Sequence, residues 1–130
     1  MRIISYILIY NYTYIKMKEE TVYDSKLKCE LIIHIGANAK DNWNIIDMAK
    51  PNDIWFHVED HPSAHVILIV PTELTQIKDV SKMTLKYCAN LCKKNKENKD
   101  QMSVIYTQIK NVTKADKEGS VSTINCKVIY

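Results

Sequence analysis

The sequence predicts an α+β fold: a single domain in which a mostly antiparallel sheet packs against one long amphipathic helix and one short helix. Three observations lead to this prediction. The chain has 130 residues, which is within the usual size of a domain with one hydrophobic core. Several short runs are apolar throughout or alternate between apolar and polar residues, as strands do. Residues 74–94 instead repeat apolar side chains every three or four positions, which is typical of an amphipathic helix.

Residues 1–20 are interpreted as an amino-terminal extension and residues 21–130 as the domain proper. The extension contains a stretch rich in Ile and Tyr, residues 2–15, that suits an extended strand. Because an exposed strand can pair with the edge of another chain, a homodimer is one expectation.

The first part of the domain is predicted to form two strands and the short helix. Strands are expected at residues 22–23 and 29–35. Gly36 is expected to end the second strand in a turn, because glycine tolerates positive φ. The short helix, residues 41–49, is predicted to begin at Asp41 as its N-cap and to stop before Pro51.

Two further strands are predicted in the middle of the chain. Residues 53–58 alternate, so that Ile54, Phe56 and Val58 should point to one face and the residues between them to the other. Residues 65–70 are almost continuously apolar, which is typical of a central strand buried on both faces. After the long helix, strands are expected at residues 102–107 and 121–130, joined by a basic loop over residues 110–119.

Charge is distributed unevenly along the chain. The net charge of +3 is too small to indicate nucleic-acid binding by itself. Residues 71–130, however, contain 11 lysines against 6 acidic residues, and four of these lysines cluster at Lys93, Lys94, Lys96 and Lys99. A solvated helix end is the simpler interpretation of that cluster, and an electrostatic contact with a polyanion is the other.

The sequence indicates a cytoplasmic protein without a cofactor. Its four cysteines occur without a secretory signal, so reduced thiols are expected. No apolar stretch approaches the roughly 20 residues of a membrane span, so no membrane association is predicted.

Four sequence blocks carry a resemblance to a known family. They are IGANAKDN at residues 35–42, AKPNDIWFH at 49–57, PSAHV at 62–66, and VIYT at 104–107 followed by Lys110. In this order they resemble the NFACT-R (NFACT RNA-binding) domain, over about residues 21–130. Ser63-Ala64 replaces the commoner Gly-Ser and is similar to the stand-alone branch of the family, although this sequence has no counterpart of that branch's charged helical tail. Residues 118–121 also depart from the Lys-Pro-Gly-x-Val of many members.

The resemblance implies a nucleic-acid-binding module and not an enzyme. It implies RNA, either tRNA or ribosomal RNA, as the partner, in translation or ribosome-associated quality control. DNA is a further expected partner, because one branch of the family binds it, and so is the ribosome. The alternative is a protein-interaction module that docks on the ribosome or on a larger NFACT-type partner.

The predicted nucleic-acid site combines an aromatic and imidazole surface with surrounding polar and basic groups. Trp55 on an open strand face would stack an unpaired base, and His57 and His65 would donate to a phosphate or a base edge. The alternative is that Trp55 belongs to the core, covered by the long helix, which requires Ile54 and Phe56 to be buried on the opposite face. The full set is Asn38, Lys40, Asn42, Trp55, His57, His65, Lys93, Lys94, Lys96, Tyr106, Thr107 and Lys110.

A metal site and an enzyme active site are the rival interpretations. His57, His61 and His65 are spaced by four, and Cys88 and Cys92 would lie one helical turn apart. Pro62 and the strand pattern keep the histidines from sharing a helical face, so no metal is predicted. With two glycines in the chain there is no Gly-rich phosphate loop and no Gly-x-Ser-x-Gly motif, so no catalytic residue is predicted.

Overall fold

A computed structural model of the chain describes the backbone of residues 2–9, 13–94 and 96–130, and the side chains of residues 17–94 and 96–130. Two helices and nine strands are described. The helices are α1 (Ala39–Met48) and α2 (Lys82–Cys92). The strands are β1 (Arg2–Ile9), β2 (Thr13–Asp24), β3 (Cys29–Gly36), β4 (Ile54–Val58), β5 (Val66–Leu68), β6 (Val104–Gln108), β7 (Val112–Lys114), β8 (Val121–Thr123) and β9 (Lys127–Ile129).

Seven of these strands form one antiparallel sheet in the order β1-β2-β3-β5-β4-β6-β9, and β7 and β8 form a separate hairpin. This confirms the predicted α+β class with a mostly antiparallel sheet. It also confirms the central position of the apolar run at residues 65–70, because β5 pairs with β3 on one side and β4 on the other. None of the helices in the described part of the chain has the length and apolar character needed to cross a membrane.

The two faces of the sheet are covered by different helices. On one face, Ile54 and Phe56 of β4 pack in a buried cluster with Cys88 of α2. On the other, Trp55 packs in a second cluster with Ile45 of α1. The alternation predicted for residues 53–58 is therefore correct, and β4 is buried on both sides.

The predicted long helix over residues 74–94 is not confirmed. The chain makes a 3-10 turn at Ile77–Asp79, is extended at Val80, and enters α2 only after Ser81, so that α2 has 11 residues against the 10 of α1. Ser81 breaks the pattern because its hydroxyl caps α2 by accepting from the amide of Thr84. Leu74 and Val80 are buried, as the apolar spacing predicts, but they reach the core from outside the helix.

Gly36 ends β3 as predicted, but not for the predicted reason. Positive φ occurs at Gly119 and not at Gly36. A Cβ on Gly36 would overlap the side-chain amide of Asn42, with its Cγ at only 2.9 Å. A glycine is therefore needed at position 36 because the Asn42 side chain approaches the backbone closely there. The N-cap of α1 is Asn38 and not the predicted Asp41.

The two ends of the chain differ in detail from the prediction. β1 and β2 form a hairpin, and β2 continues without a break across residues 20 and 21; residues 10–12 of the predicted strand lie outside the described residues. The stretch at residues 121–130 forms two strands, β8 and β9, which belong to different sheets. The predicted basic loop contains β7, which pairs with β8.

Candidate nucleic-acid interface

A groove of about 490 Å³ lies at the amino-terminal end of α1. Five separate parts of the chain line it: residues 36–39 with Asn42, then His57, residues 62–65, Lys96, and residues 117–120. We call it the α1 groove. Three of the four sequence blocks that carry the family resemblance contribute to it.

The backbone around the α1 groove is fixed by hydrogen bonds between strand ends. The amide of Gly36 donates to the carbonyl of His65 at 3.0 Å, and the amide of His65 donates to Asn42 Oδ1 at 3.2 Å. The side chain of Asn38 accepts from the amide of Asp41 and so begins α1 at the groove. These bonds explain why asparagines follow Gly36 at these two positions.

The loop at residues 117–120 is held against α1 by two contacts. Trp43 Nε1 donates to the carbonyl of Ser120 at 2.8 Å. Gly119 has a φ of 86°, and a Cβ on it would come within 2.8 Å of Ala39 Cβ. The chain's two glycines therefore both lie where backbone passes close to the start of α1.

Trp55 does not present an open aromatic face, contrary to the predicted stacking role. The residue is 1% exposed, because α1 and its neighbours in the second core cluster cover the indole. Its ring nitrogen donates to His65 Nδ1 at 3.0 Å. The alternative expectation, that Trp55 is a core residue, is the one the structure supports. The covering helix is α1, however, and not the helix of residues 74–94.

His57 and His65 stand at the floor of the α1 groove with their rings edge to face, 4.9 Å between centroids. His65 is 3% exposed, and burial, with the neighbouring His57 as a smaller cause, lowers its pKa to about 3. Burial also lowers the pKa of His57, and the positive charge of Lys96 acts in the same direction. Both imidazoles are therefore neutral at pH 7.

Several lysines border the α1 groove. Lys96 and Lys117 line it, and Glu118 is the one acidic residue among the described residues that line it. An adjoining pocket of about 200 Å³ shares Lys96 with the groove and adds Lys18 and Lys94, and no acidic side chain in the described part of the chain lines it. Four lysines from three distant parts of the sequence thus lie along one continuous depression.

The structure brings five of the predicted site residues together in the α1 groove: Asn38, Asn42, His57, His65 and Lys96. Lys94 lines the adjoining pocket, and Lys40 is exposed on the first turn of α1 without lining the groove.

The other predicted residues lie elsewhere. Lys93 is 5% exposed and lines a different pocket with Lys86 and Lys99. Tyr106 stacks on Phe56, on the α2 side of the sheet. Thr107 is buried, where its hydroxyl is within hydrogen-bond distance of two backbone carbonyls. Lys110 is exposed, and its backbone amide donates to the carbonyl of Pro51. This bond places Lys110 near the start of β4, whereas His57 is near the other end of that strand.

Sequence reasoning missed Lys18 and the loop at residues 117–120. Lys18 gave no signal, because only the pairing of β2 with β3 places it beside the carboxyl end of β3. The loop did give a signal, because residues 118–121 stand where many family members have the Lys-Pro-Gly-x-Val motif, but no contact was predicted for them.

The described residues contain no cluster of three or more His, Cys, Asp or Glu side chains able to hold a metal ion. His65 Nδ1 is occupied by the indole of Trp55, and His61 is exposed with its ring near the carbonyl of Glu59. Cys88 and Cys92 are buried in the core on the α2 side, where burial raises the pKa of both thiols. Neither set of residues forms the zinc site considered above.

The fold is that of a small α+β domain, with a lysine-lined groove at the start of α1. Residues 18–124 match the family described as "NFACT protein RNA binding domain", and the chain belongs to this family.

Among curated proteins, the chain is similar to "Coiled-coil domain-containing protein 25" of Danio rerio (36% identical over 85 residues; 63% of this chain and 41% of the relative). It is also similar to "Coiled-coil domain-containing protein 25 homolog" of Dictyostelium discoideum (32% identical over 88 residues; 65% and 42%). These matches confirm the resemblance to a stand-alone NFACT-R form. The chain spans about two fifths of the length of these relatives.

The fold also occurs in a solved structure. It is "The structure of the C-terminal of the fibronectin/fibrinogen-binding protein from Streptococcus suis (FBPS)", with a TM-score of 0.66 and 24% sequence identity. The match covers 85% of this chain and 44% of the other.

Proposed function

We propose that this domain binds an RNA strand along the α1 groove, with lysine ammonium groups on its rim contacting the phosphates. The observation that carries the proposal is the convergence of Lys18, Lys94, Lys96 and Lys117 on one depression built from the motifs of an RNA-binding family. Lysine–phosphate contacts release counterions and supply affinity that does not depend on sequence. The domain acts by binding and not by catalysis.

The finer part of the proposal concerns the RNA and its setting. We propose tRNA or ribosomal RNA as the ligand, in the cytoplasm, in ribosome-associated quality control or translation. The support is the resemblance to NFACT-R domains and the groove built from their motifs. DNA offers the same phosphates, so parallel titrations with tRNA, single-stranded RNA and DNA of equal length distinguish these ligands.

The experiment is a fluorescence anisotropy titration of a labelled single-stranded RNA. Lys94→Ala/Lys96→Ala should weaken binding about tenfold at low salt, because two phosphate contacts are lost. Lys78→Ala is the matched control. That exposed lysine lies beside the β2–β3 turn, at the far end of β3 from the α1 groove, and its backbone carbonyl accepts from Lys26. An equal loss per lysine removed in the two variants, or no binding at all by the wild-type domain, would contradict the proposal.

A protein-docking role is the second candidate, favoured by the edge strand β9. This strand pairs with β6 on one side, and Val128 within it and Tyr130 directly after it are exposed. An exposed edge can add a strand from a partner. Pull-down with the purified domain after nuclease treatment separates the candidates: partners retained without RNA, from ribosomes or from a larger NFACT-type protein, favour docking. Homodimers would appear in sedimentation of the domain alone.

A further inference from the structure

We propose that the floor of the α1 groove takes an unpaired nucleobase of the RNA, held by two imidazole nitrogens of opposite character: the Nε2–H donor of His65 and the Nε2 acceptor of His57. The inference rests on the proposed RNA binding. It specifies which part of the RNA enters the groove. It also separates the role of the two histidines at the floor from that of the lysine rim, which consists of Lys18, Lys94, Lys96 and Lys117.

The tautomer of His65 follows from its partner. Trp55 Nε1 can only donate, so His65 Nδ1, at 3.0 Å, must accept and carries no proton. The ring is neutral and therefore carries its single proton on Nε2. Because Trp55 is itself fixed in the core by α1, the His65 ring is held in this tautomer, with Nε2 as its donor, and the ring lines the α1 groove.

The tautomer of His57 is the reverse. Its Nδ1 lies 2.6 Å from the carbonyl oxygen of Val58, which can only accept, so Nδ1 carries the proton. In the neutral ring Nε2 is then an acceptor. The plane of the ring is fixed by parallel stacking on Trp55, with 5.7 Å between ring centroids and 4° between planes.

Both Nε2 atoms are available to a ligand. In the part of the chain that the structure describes, neither has a hydrogen-bond partner, and neither is a fully enclosed unpaired atom. The rings are edge to face with 4.9 Å between centroids, so the donor and the acceptor belong to one small patch. The volume of the α1 groove, about 490 Å³, is within the range of small-molecule sites.

The donor of His65 beside the acceptor of His57 favours an unpaired base over a phosphate. A phosphate offers only acceptors, so it would pair with His65 but meet the lone pair of His57, and a neutral floor provides no charge to hold it. The edge of an unpaired base offers a donor and an acceptor side by side and satisfies both nitrogens. A metal ion at His65 would have to displace the Nε2 proton from a ring whose other nitrogen is already occupied.

The test compares a single-stranded RNA with an abasic strand of the same length, which keeps the phosphates and sugars. His57→Phe keeps a flat ring beside Trp55 but removes the acceptor. We expect it to weaken binding of the base-bearing strand about three- to tenfold, the value of one neutral hydrogen bond, and to leave binding of the abasic strand unchanged. Lys96→Ala, the matched control from the rim, should weaken both strands by the same factor.

A second measurement does not depend on any variant. The ¹⁵N chemical shifts of the imidazole nitrogens report the two tautomers directly. In the free domain they should show a protonated Nε2 on His65 and a protonated Nδ1 on His57, and the two Nε2 signals should move on addition of the base-bearing strand but not of the abasic strand.

The inference is overturned if His57→Phe weakens both strands equally, if the two Nε2 signals do not respond to base-bearing RNA, or if either tautomer is reversed. Each of these outcomes leaves RNA binding itself intact. Failure of the wild-type domain to bind either strand would instead overturn the proposed function, and this inference with it.

Discussion

His65 links the core to the α1 groove through one ring. Its Nδ1 accepts from a buried indole while its backbone amide donates to Asn42 and its carbonyl accepts from Gly36. A charged imidazole would lose the indole bond, because protonated Nδ1 cannot accept. The neutral form is thus a structural requirement as well as a property of the groove.

The stability of the domain should fall in acid because of this residue. The folded-state pKa of His65, about 3, is below the value of 6.5 expected for the unfolded chain, so between these values the unfolded state binds more protons. From pH 7 to about pH 4, His65 should lower the free energy of unfolding by about 3 kcal/mol. Urea unfolding at several pH values measures this.

The comparison that isolates this effect is His65→Asn, which does not titrate and keeps an acceptor for Trp55. Its pH profile should be flatter than that of the wild type below pH 6.5. His61→Asn, which replaces an exposed histidine, is the matched control. Identical slopes for wild type and His65→Asn would show that His65 does not contribute.

At this scale the sequence predicted one open site with Trp55, His57 and His65, and the structure places the two histidines at the α1 groove but buries Trp55. Alternation along β4 places Trp55 and His57 on the same face, which is correct, but it cannot show where on that face α1 ends. The boundary falls between the two side chains: the indole is under the helix and His57 lies at the groove. This follows from the register of α1 on the sheet, which no local pattern encodes.

At the scale of elements, the start of α1 depends on the absence of a side chain at Gly36. Gly36→Ala should destabilise the domain by about 2–4 kcal/mol, because the new methyl overlaps the Asn42 amide and displaces it from the amide of His65. Thermal unfolding measures the loss. Ala37→Ser, at the exposed neighbouring position, should change stability by less than about 0.5 kcal/mol. Equal stability of the two variants would refute the packing role of Gly36.

Asp24 joins the β2–β3 turn to the start of α2. Its carboxylate accepts from the amides of Lys26, Leu27 and Ser81. Burial alone would raise the pKa of this carboxyl, but hydrogen bonds from the backbone and from the Thr84 and Ser81 hydroxyls outweigh burial and lower it.

Asp24→Ala leaves three amides without this acceptor and should lower the free energy of unfolding by about 2–4 kcal/mol. Urea denaturation measures the change. Ser25→Ala, at an exposed position in the same turn, is the control and should have little effect. A small effect of Asp24→Ala would mean that water replaces the carboxylate at all three amides.

Element boundaries show where sequence patterns stop being informative. The spacing of apolar residues through 74–94 reflects burial, and Leu74, Val80 and Leu85 are indeed buried. The same spacing does not require one continuous helix. The start of α2 is fixed instead by Asp24, 57 residues earlier, whose carboxylate accepts from the amide of Ser81. The strand pattern at residues 121–130 likewise cannot show that its halves join different sheets.

At the scale of the whole molecule, folding brings together lysines that are only partly clustered in the sequence. The basic bias of residues 71–130 and the cluster around Lys96 are visible in the sequence. Lys18 comes from the half of the chain with more acidic than basic residues, and the pairing of β2 with β3 brings it to the pocket that also contains Lys94 and Lys96. The sequence also predicts that Lys93 and Lys110 belong to the nucleic-acid site. In the structure both lie away from the α1 groove.

The number of lysines at the groove sets the salt dependence of RNA binding. For single strands, log Kobs falls with log salt with a slope of about −0.7 per neutralised phosphate, so contacts from Lys18, Lys94, Lys96 and Lys117 predict a slope of about −3. Removing Lys94 and Lys96 together should reduce it to about −1.4, whereas removal of Lys78 should leave it near −3. Anisotropy titrations over a range of potassium chloride concentrations give these slopes. A wild-type slope near zero would exclude phosphate contacts by the rim. A slope that falls by the same amount per lysine removed in the Lys78 variant would mean that the charge of the whole surface, and not the groove, attracts the RNA.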